Sequence, residues 1–306
     1  VTKWGGFIVL RKSRGLLQAV VSNETSLFYD EKGEAITMAD LCREMAVSIT
    51  GVVGEAKIKD PAAFYNTIEI AVSSVSILSR PTTAEVVDMN ALKFGDEETL
   101  LRYKFDNRQV TLRNPRDMAI LKVQSTIARS FADFLSTNGF TQIFTPKIVS
   151  EGAEGGANVF KMDYFGKQVY LAQSPQFYKQ MALASGFEKV FEIGPVFRAE
   201  NSNSYRHTTE FTGFDIEISC IESYEDIMEF EEDILVYALS AVKEKYGEKI
   251  KEVFGVDVVV PRKPFPRIKL EELYKALEEN YGFKMNFEDV GDMNSEAEKL
   301  ASKYVM

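Results

Sequence analysis

The chain has 306 residues, with 36 Lys and Arg against 46 Asp and Glu, a formal net charge of -10 and 45% hydrophobic residues. That is enough for one large or two ordinary domains with real cores, and the acidic balance argues against a surface that coats nucleic acid indiscriminately. No apolar run reaches the roughly 20 residues of a membrane helix, no secretory leader opens the chain, and Cys42 and Cys220 lack metal-ligand spacing. They read as buried free thiols of a soluble, cytoplasmic protein.

Residues 1 to about 80 read as short strands, Phe7–Leu10, Leu16–Val21, Ala46–Val53 and Ile68–Leu78, with a helix-like Met38–Glu44 between the second and third. Such elements suit a small barrel, and Lys3, Arg11, Lys12 and Arg14 make its beginning locally basic. A polar connection follows from Arg80-Pro81, giving a linker over 81–105. From Arg116 the period becomes helical, through Ile120, Val123, Ile127, Phe131 and Phe134, until Asn138-Gly139 stops it and a strand Phe140–Phe144 runs to Thr145-Pro146. Ser174 and Pro175 open the next helix and Gly186 lies beyond its end, with Gln176, Lys179 and Leu183 on one face. Strands Val190–Glu200 and Glu210–Ser219 form a hairpin, followed by helices over Glu222–Lys245, Arg267–Tyr281 and Asn294–Val305. The acidic runs Glu222–Glu232 and Glu278–Glu298 read as solvated helix faces.

The hairpin carries the chemistry. Strand residues two apart share a face, so Arg198 and Glu200 project together, as do Phe211, Gly213, Asp215 and Glu217 on the return strand. Taken alone, this also fits an ordinary surface ion pair. As a site, Arg198 can grip a phosphate through its planar fork, Phe211 can stack on a base, and Gly213 leaves room for a ligand. The polar stretch Asn201–Tyr205 reads as a mobile loop. Gln176 and Lys179, one helical turn apart, offer an amide and an ammonium. Glu151–Asn158, with Gly155-Gly156, reads as a plain turn given backbone freedom by its glycines. His207 is the only histidine, so no zinc site with several His ligands can form, and any His-based triad would have to use that one residue.

Phe197-Arg198-Ala199-Glu200, Arg206-His207 and Glu210–Glu217 together resemble motif 2 of the class II aminoacyl-tRNA synthetases. Gln173–Gln180 is similar to the matching segment of the aspartyl-tRNA synthetases, whose asparaginyl relatives typically lack its Pro and Lys, and Gly139–Pro146 resembles motif 1. The resemblance implies an α+β protein: an N-terminal OB-fold that binds the anticodon (1–80), the linker, and a class II catalytic domain with an antiparallel sheet flanked by helices (106–306). It implies activation of L-aspartate by ATP with Mg²⁺ and transfer to tRNA(Asp), in a homodimer with Pro146 at its interface. Arg198 is the implied catalytic residue. Arg198, Glu200, Arg206, His207 and Phe211 are the implied ATP contacts, and Glu154, Gln176, Lys179 and Asp215 the aspartate contacts. In the archaeal and eukaryotic branch, Phe7, Gln18 and Glu69 match anticodon-reading positions, by stacking and hydrogen bonding on an unstacked base. Ala153 departs from the family's usual Ser or Thr. Motif 3 is not found after Glu217, so the resemblance places its arginine and the metal carboxylates beyond Met306, in a catalytic domain incomplete at its C-terminus. Rival readings are an asparaginyl-type enzyme, a tRNA-independent amide-forming relative, and a non-catalytic RNA-binding paralogue should the chain end at Met306.

Overall fold

The computed structural model describes residues 5–12, 15–56, 58, 67–82, 96–153, 159–199, 208–284 and 293–305. The chain divides into two compact units, residues 1–125 with 246–257, and 126–245 with 258–306.

The first unit is built on a six-stranded sheet of β1 (Gly5–Lys12), β2 (Gly15–Ser22), β3 (Leu27–Tyr29), β4 (Ala35–Ile36), β5 (Ala46–Glu55) and β6 (Ile68–Ser79). β6 is its spine. One edge of β6 pairs with β5 antiparallel; the other pairs in parallel first with β2 and then with β3. Buried Ser26 bridges that change of partner, donating from Oγ to the Val72 carbonyl at 2.7 Å and accepting the Ser22 amide at 3.0 Å. Alternation does the rest: Ala19, Val21, Phe28, Val72 and Val75 form the core, with Ile8, Leu10 and Ile70 packed on it. A closed barrel was the expectation, and among the described residues no strand pair closes this sheet. Met38–Glu44 is a single 3-10 turn, Met38–Asp40, because Leu41 is already extended and Glu44 takes a φ of 67°.

Part of the segment expected to be a linker is helical: Asp96 caps α1 (Glu97–Asp106) by accepting the Thr99 amide at 2.7 Å. α2 (Arg108–Thr111) and α3 (Pro115–Thr137) follow. Glu44 receives both Arg11 and Arg113, and hydrogen bonding from Arg11 holds its carboxyl below the ordinary range.

The second unit holds a three-stranded sheet of β7 (Thr141–Gln142), β11 (Lys189–Phe197) and β12 (Glu210–Ile218), and another of β8 (Ile148–Val149), β9 (Lys161–Tyr164) and β10 (Lys167–Leu171). β9 and β10 join through Phe165 and Gly166, both at positive φ, as a two-residue hairpin turn requires. The first sheet was expected to be antiparallel and is mixed. β11 and β12 are antiparallel, but β7 enters from the end of α3 through Gly139 (φ 83°) and lies parallel to β11. Its apolar face, with Phe191, Ile193, Ile216 and Ile218, packs on Phe131, Leu135 and Phe140 and on Phe230 and Ile234 of α5 (Tyr224–Phe254). α4 (Gln176–Ala184) lies against β11 and β12. α6 (Leu270–Tyr281) and α7 (Ser295–Val305) pack through Leu273, Leu277, Ala297 and Ala301.

Two expectations are corrected. Both cysteines are exposed: Cys42 sits in the turn before Glu44, and Cys220 in the turn after β12 at a φ of 58°. Within the acidic run of α5, Glu232 is buried and not solvated; its Oε1 accepts the Phe265 amide at 3.1 Å and Arg267 at 3.3 Å.

Candidate functional site

β11 alternates Val190, Glu192, Gly194, Val196 against Phe191 and Ile193, so burying the aromatic and branched set turns the other set to the opposite face. The ladder fixes the register: Val196 faces Phe211, Gly194 faces Gly213, and Glu192 faces Asp215. Beyond the last pair, the Arg198 amide still donates to the Thr209 carbonyl at 3.0 Å. Its guanidinium carbon lies 5.7 Å from the centre of the Phe211 ring, a cation–π approach that puts both residues on this face.

Between that pair and the carboxylates the two strands carry glycines opposite each other, Gly194 and Gly213. A Cβ at Gly213 would stand 2.8 Å from Asp215 Oδ2, and one at Gly194 3.3 Å from Glu192 Oε1. Two glycines side by side therefore make a low floor over which the Asp215 and Glu192 carboxylates lie close, with Arg198 and Phe211 farther along the same face.

α4 delivers the cation. Pro175 caps it by backbone, one residue later than the sequence suggests, while Ser174 Oγ accepts the Gln176 amide at 3.3 Å and so still serves the helix start. Lys179, one turn on, is 4% exposed. Its Nζ lies 3.2 Å from Asp215 Oδ1, 3.2 Å from the Ile216 carbonyl and 3.4 Å from Glu217 Oε2. Gln176 Nε2 donates to the same Glu217 oxygen at 3.3 Å. Lys179 and Asp215, read from the sequence as separate amino-acid contacts, are thus already partners of each other.

A second buried pair lies beside the first. Glu192, also 4% exposed, holds Lys147 Nζ at 2.9 Å and accepts from the Thr145 amide and hydroxyl. Sequence reading missed Glu192, Lys147 and Thr145 and left Glu217 out of the contacts. A charged residue inside the apolar run Val190–Phe197 is the signal that could have found Glu192, since a buried charge requires a partner.

In the first unit Phe7, Gln18 and Glu69 share one face. Phe7 faces Val20, Val9 faces Gln18, and Gln18 faces Glu69 with a hydrogen bond of 2.7 Å. Phe7 is 67% exposed and stands outside the core of its unit. Pro146 is exposed, next to Thr145. Glu154, Glu200, Arg206 and His207, with the loop Asn201–Tyr205, lie outside the described residues. Among the described residues no group of three or more His, Cys, Asp and Glu could hold a metal, and the Asp215 and Glu217 carboxylates are turned to Lys179. No described helix is long and apolar enough to cross a membrane.

Residues 100–306 match the family described as tRNA synthetases class II (D, K and N). The aspartate–tRNA(Asp/Asn) ligase of Aeropyrum pernix is 37% identical over 97% of this chain and 64% of its own length. The cytoplasmic aspartate–tRNA ligase of Homo sapiens is 36% identical over 98% of this chain and 61% of its own. The crystal structure of asparaginyl-tRNA synthetase from Pyrococcus horikoshii complexed with asparaginyl-adenylate aligns with a TM-score of 0.77 at 28% identity, covering 99% of this chain and 66% of that one. The chain spans less than two thirds of the length of these curated relatives. With a polar sheet face floored by two glycines, an arginine over a phenylalanine ring and a family match over two thirds of its length, the chain belongs to the class II tRNA synthetases of the D, K and N group.

Proposed function

We propose that the full-length protein carrying this chain activates L-aspartate with ATP to aspartyl-adenylate and pyrophosphate, then transfers the aspartyl group to tRNA(Asp). The observation that carries the choice of amino acid is the buried Lys179 ammonium at the edge of the glycine floor. Arg198 neutralises charge developing on the α-phosphate, Phe211 stacks the adenine, Asp215 and Glu154 take the substrate ammonium, and Gln176 hydrogen-bonds the amino acid. Glu200, Arg206 and His207 complete the nucleotide contacts. Chemistry of this kind needs positioning and charge neutralisation more than a protein base. ATP enters with Mg²⁺ as its counter-ion.

Lys179 is compensated by Asp215 and Glu217 before substrate arrives. Discrimination therefore arises from competition: the aspartate carboxylate brings a full ion pair to the ammonium, whereas the asparagine amide brings one neutral acceptor. Pyrophosphate exchange by the full-length protein with each amino acid tests this. Aspartate supports exchange at least about a hundredfold better by kcat/KM, the scale of a charge-assisted contact; equal rates overturn the assignment.

Residues 1–80 are read as an anticodon-binding domain of the OB type, with Phe7 stacking a base and Gln18 and Glu69 hydrogen-bonding it; 81–105 serve as the linker and 106–306 as the catalytic domain. The protein is read as a cytoplasmic homodimer that buries Pro146 and its neighbour Phe144, which is 82% exposed in the single chain. A sedimentation mass of one chain at micromolar concentration would remove the dimer.

A further inference from the structure

Glu192 is a buried carboxylate that none of the roles above uses. It lies on the polar face of β11 directly opposite Asp215, and its oxygens are fully engaged: the Thr145 amide donates at 3.1 Å, the Thr145 hydroxyl at 2.7 Å, and Lys147 Nζ sits at 2.9 Å. Lys147 Nζ also donates to Thr145 Oγ1 at 3.1 Å, which closes a three-membered ring of side chains. Such a network is rigid when every member is satisfied. The backbone around it leads to the amino-acid end of the site. The Lys147 carbonyl accepts the Ala172 amide at 3.0 Å, and the Ala172 carbonyl accepts the Phe197 amide at 2.9 Å. Ala172 begins the short approach, through Gln173, Ser174 and Pro175, to the first turn of α4 with Gln176 and Lys179.

We propose that Glu192 is a positioning residue for the amino-acid pocket: through Lys147 and Ala172 it sets where α4 starts, and so where Gln176 and Lys179 stand over the glycine floor. It touches no substrate. This rests on the reading of Gln176 and Lys179 as amino-acid contacts. A displacement of about 1 Å in a group that orients substrate is enough to cost a large factor in rate or affinity. The nucleotide end lies farther along the hairpin, at Arg198 and Phe211; the Ala172 carbonyl reaches it through the Phe197 amide, but there the β11–β12 ladder and the bond from the Arg198 amide to the Thr209 carbonyl at 3.0 Å hold it as well.

The test is aspartate-dependent pyrophosphate exchange by the full-length protein, with KM for aspartate and for ATP measured separately on wild type, Glu192→Gln, Lys147→Met and the double variant. Each single variant raises the aspartate KM about fivefold or more while the ATP KM stays within about twofold, and the double variant is no worse than the poorer single one, because both substitutions break one ring. Loss of folded protein alone would lower kcat and leave both KM values in place; that pattern, or additive effects on the aspartate KM, overturns the proposal. Should Glu192→Gln fold poorly, Lys147→Met decides, since it leaves Glu192 bonded to Thr145: an unchanged aspartate KM in it overturns the proposal. Wild-type protein that shows no aspartate-dependent exchange overturns the function reading beneath it, and the proposal with it.

Discussion

The two sheets present polar faces of opposite design. On the first, Phe7 is largely exposed and Gln18 and Glu69 share one hydrogen bond in contact with solvent. On the second, Lys179 and Glu192 are almost wholly buried, and each is locked into several partners before any ligand is present. An open stacking platform suits a flexible, single-stranded ligand that brings its own flat surfaces. Prearranged buried charge suits a small polar ligand whose reaction must not wait for the protein to reorganise. The same alternation of strand residues supplies both, and the difference lies in what covers the face.

Substitutions can break this contrast at either end. The largest effect belongs to Arg198→Ala in the full-length protein, which removes the cation proposed for the nucleotide; the proposed aspartate-dependent exchange and tRNA charging both fall by about a thousandfold or more, measured as initial rates. Phe7→Ala weakens tRNA charging by about 1–3 kcal/mol in kcat/KM, the scale of one lost base stack. It leaves exchange intact and the melting temperature nearly unchanged, because the ring is outside the core; a large drop in melting temperature would show a packing role instead. Gly213→Ala sharpens the comparison from the other side. Its Cβ would stand 2.8 Å from Asp215 Oδ2, so the carboxylate moves and the aspartate KM rises about tenfold, with secondary structure by circular dichroism preserved.

The smallest effect is one of pH. The folded pKa of Glu44 is lowered, chiefly by the Arg11 hydrogen bond, so its contribution to stability is present above the ordinary carboxylate value of about 4.3 and is lost as pH falls through the depressed folded value. Thermal melts of wild type and Glu44→Gln therefore differ at pH 7 and converge in acid; a constant difference across that range would remove the ion pair as the cause.

Much of this was legible because local signals agreed with tertiary demands. α3, α4 and the β11–β12 hairpin carry caps, stops and periodicity that packing reinforces, so the shared face of Arg198, Phe211, Gly213 and Asp215 could be read from spacing alone. The short strands β3 and β4 could not, since two or three residues carry no period and are set by the edge of β6. The Lys147–Glu192 pair was hidden for another reason: its members are 45 residues apart in sequence, and only the parallel entry of β7 beside β11 brings them together. Glu232 was misread because a run of acids on a helix is normally solvated, and nothing in the run marks the one member that the Phe265 amide and Arg267 draw inward.

Ser26 has a consequence for the timescale on which the first sheet opens. At Val72 the spine strand β6 has finished with β2 and not yet begun with β3, and the Ser26 hydroxyl occupies that joint. Breaks between ladder segments are where amides first meet solvent in native-state hydrogen exchange. The hydroxyl also accepts the Ser22 amide, so the seam has a clasp, and Ser22 should exchange as slowly as residues in mid-strand. Without the clasp the β1–β2 ribbon and the β3–β4 hairpin would come away from the spine as separate pieces, each on its own clock.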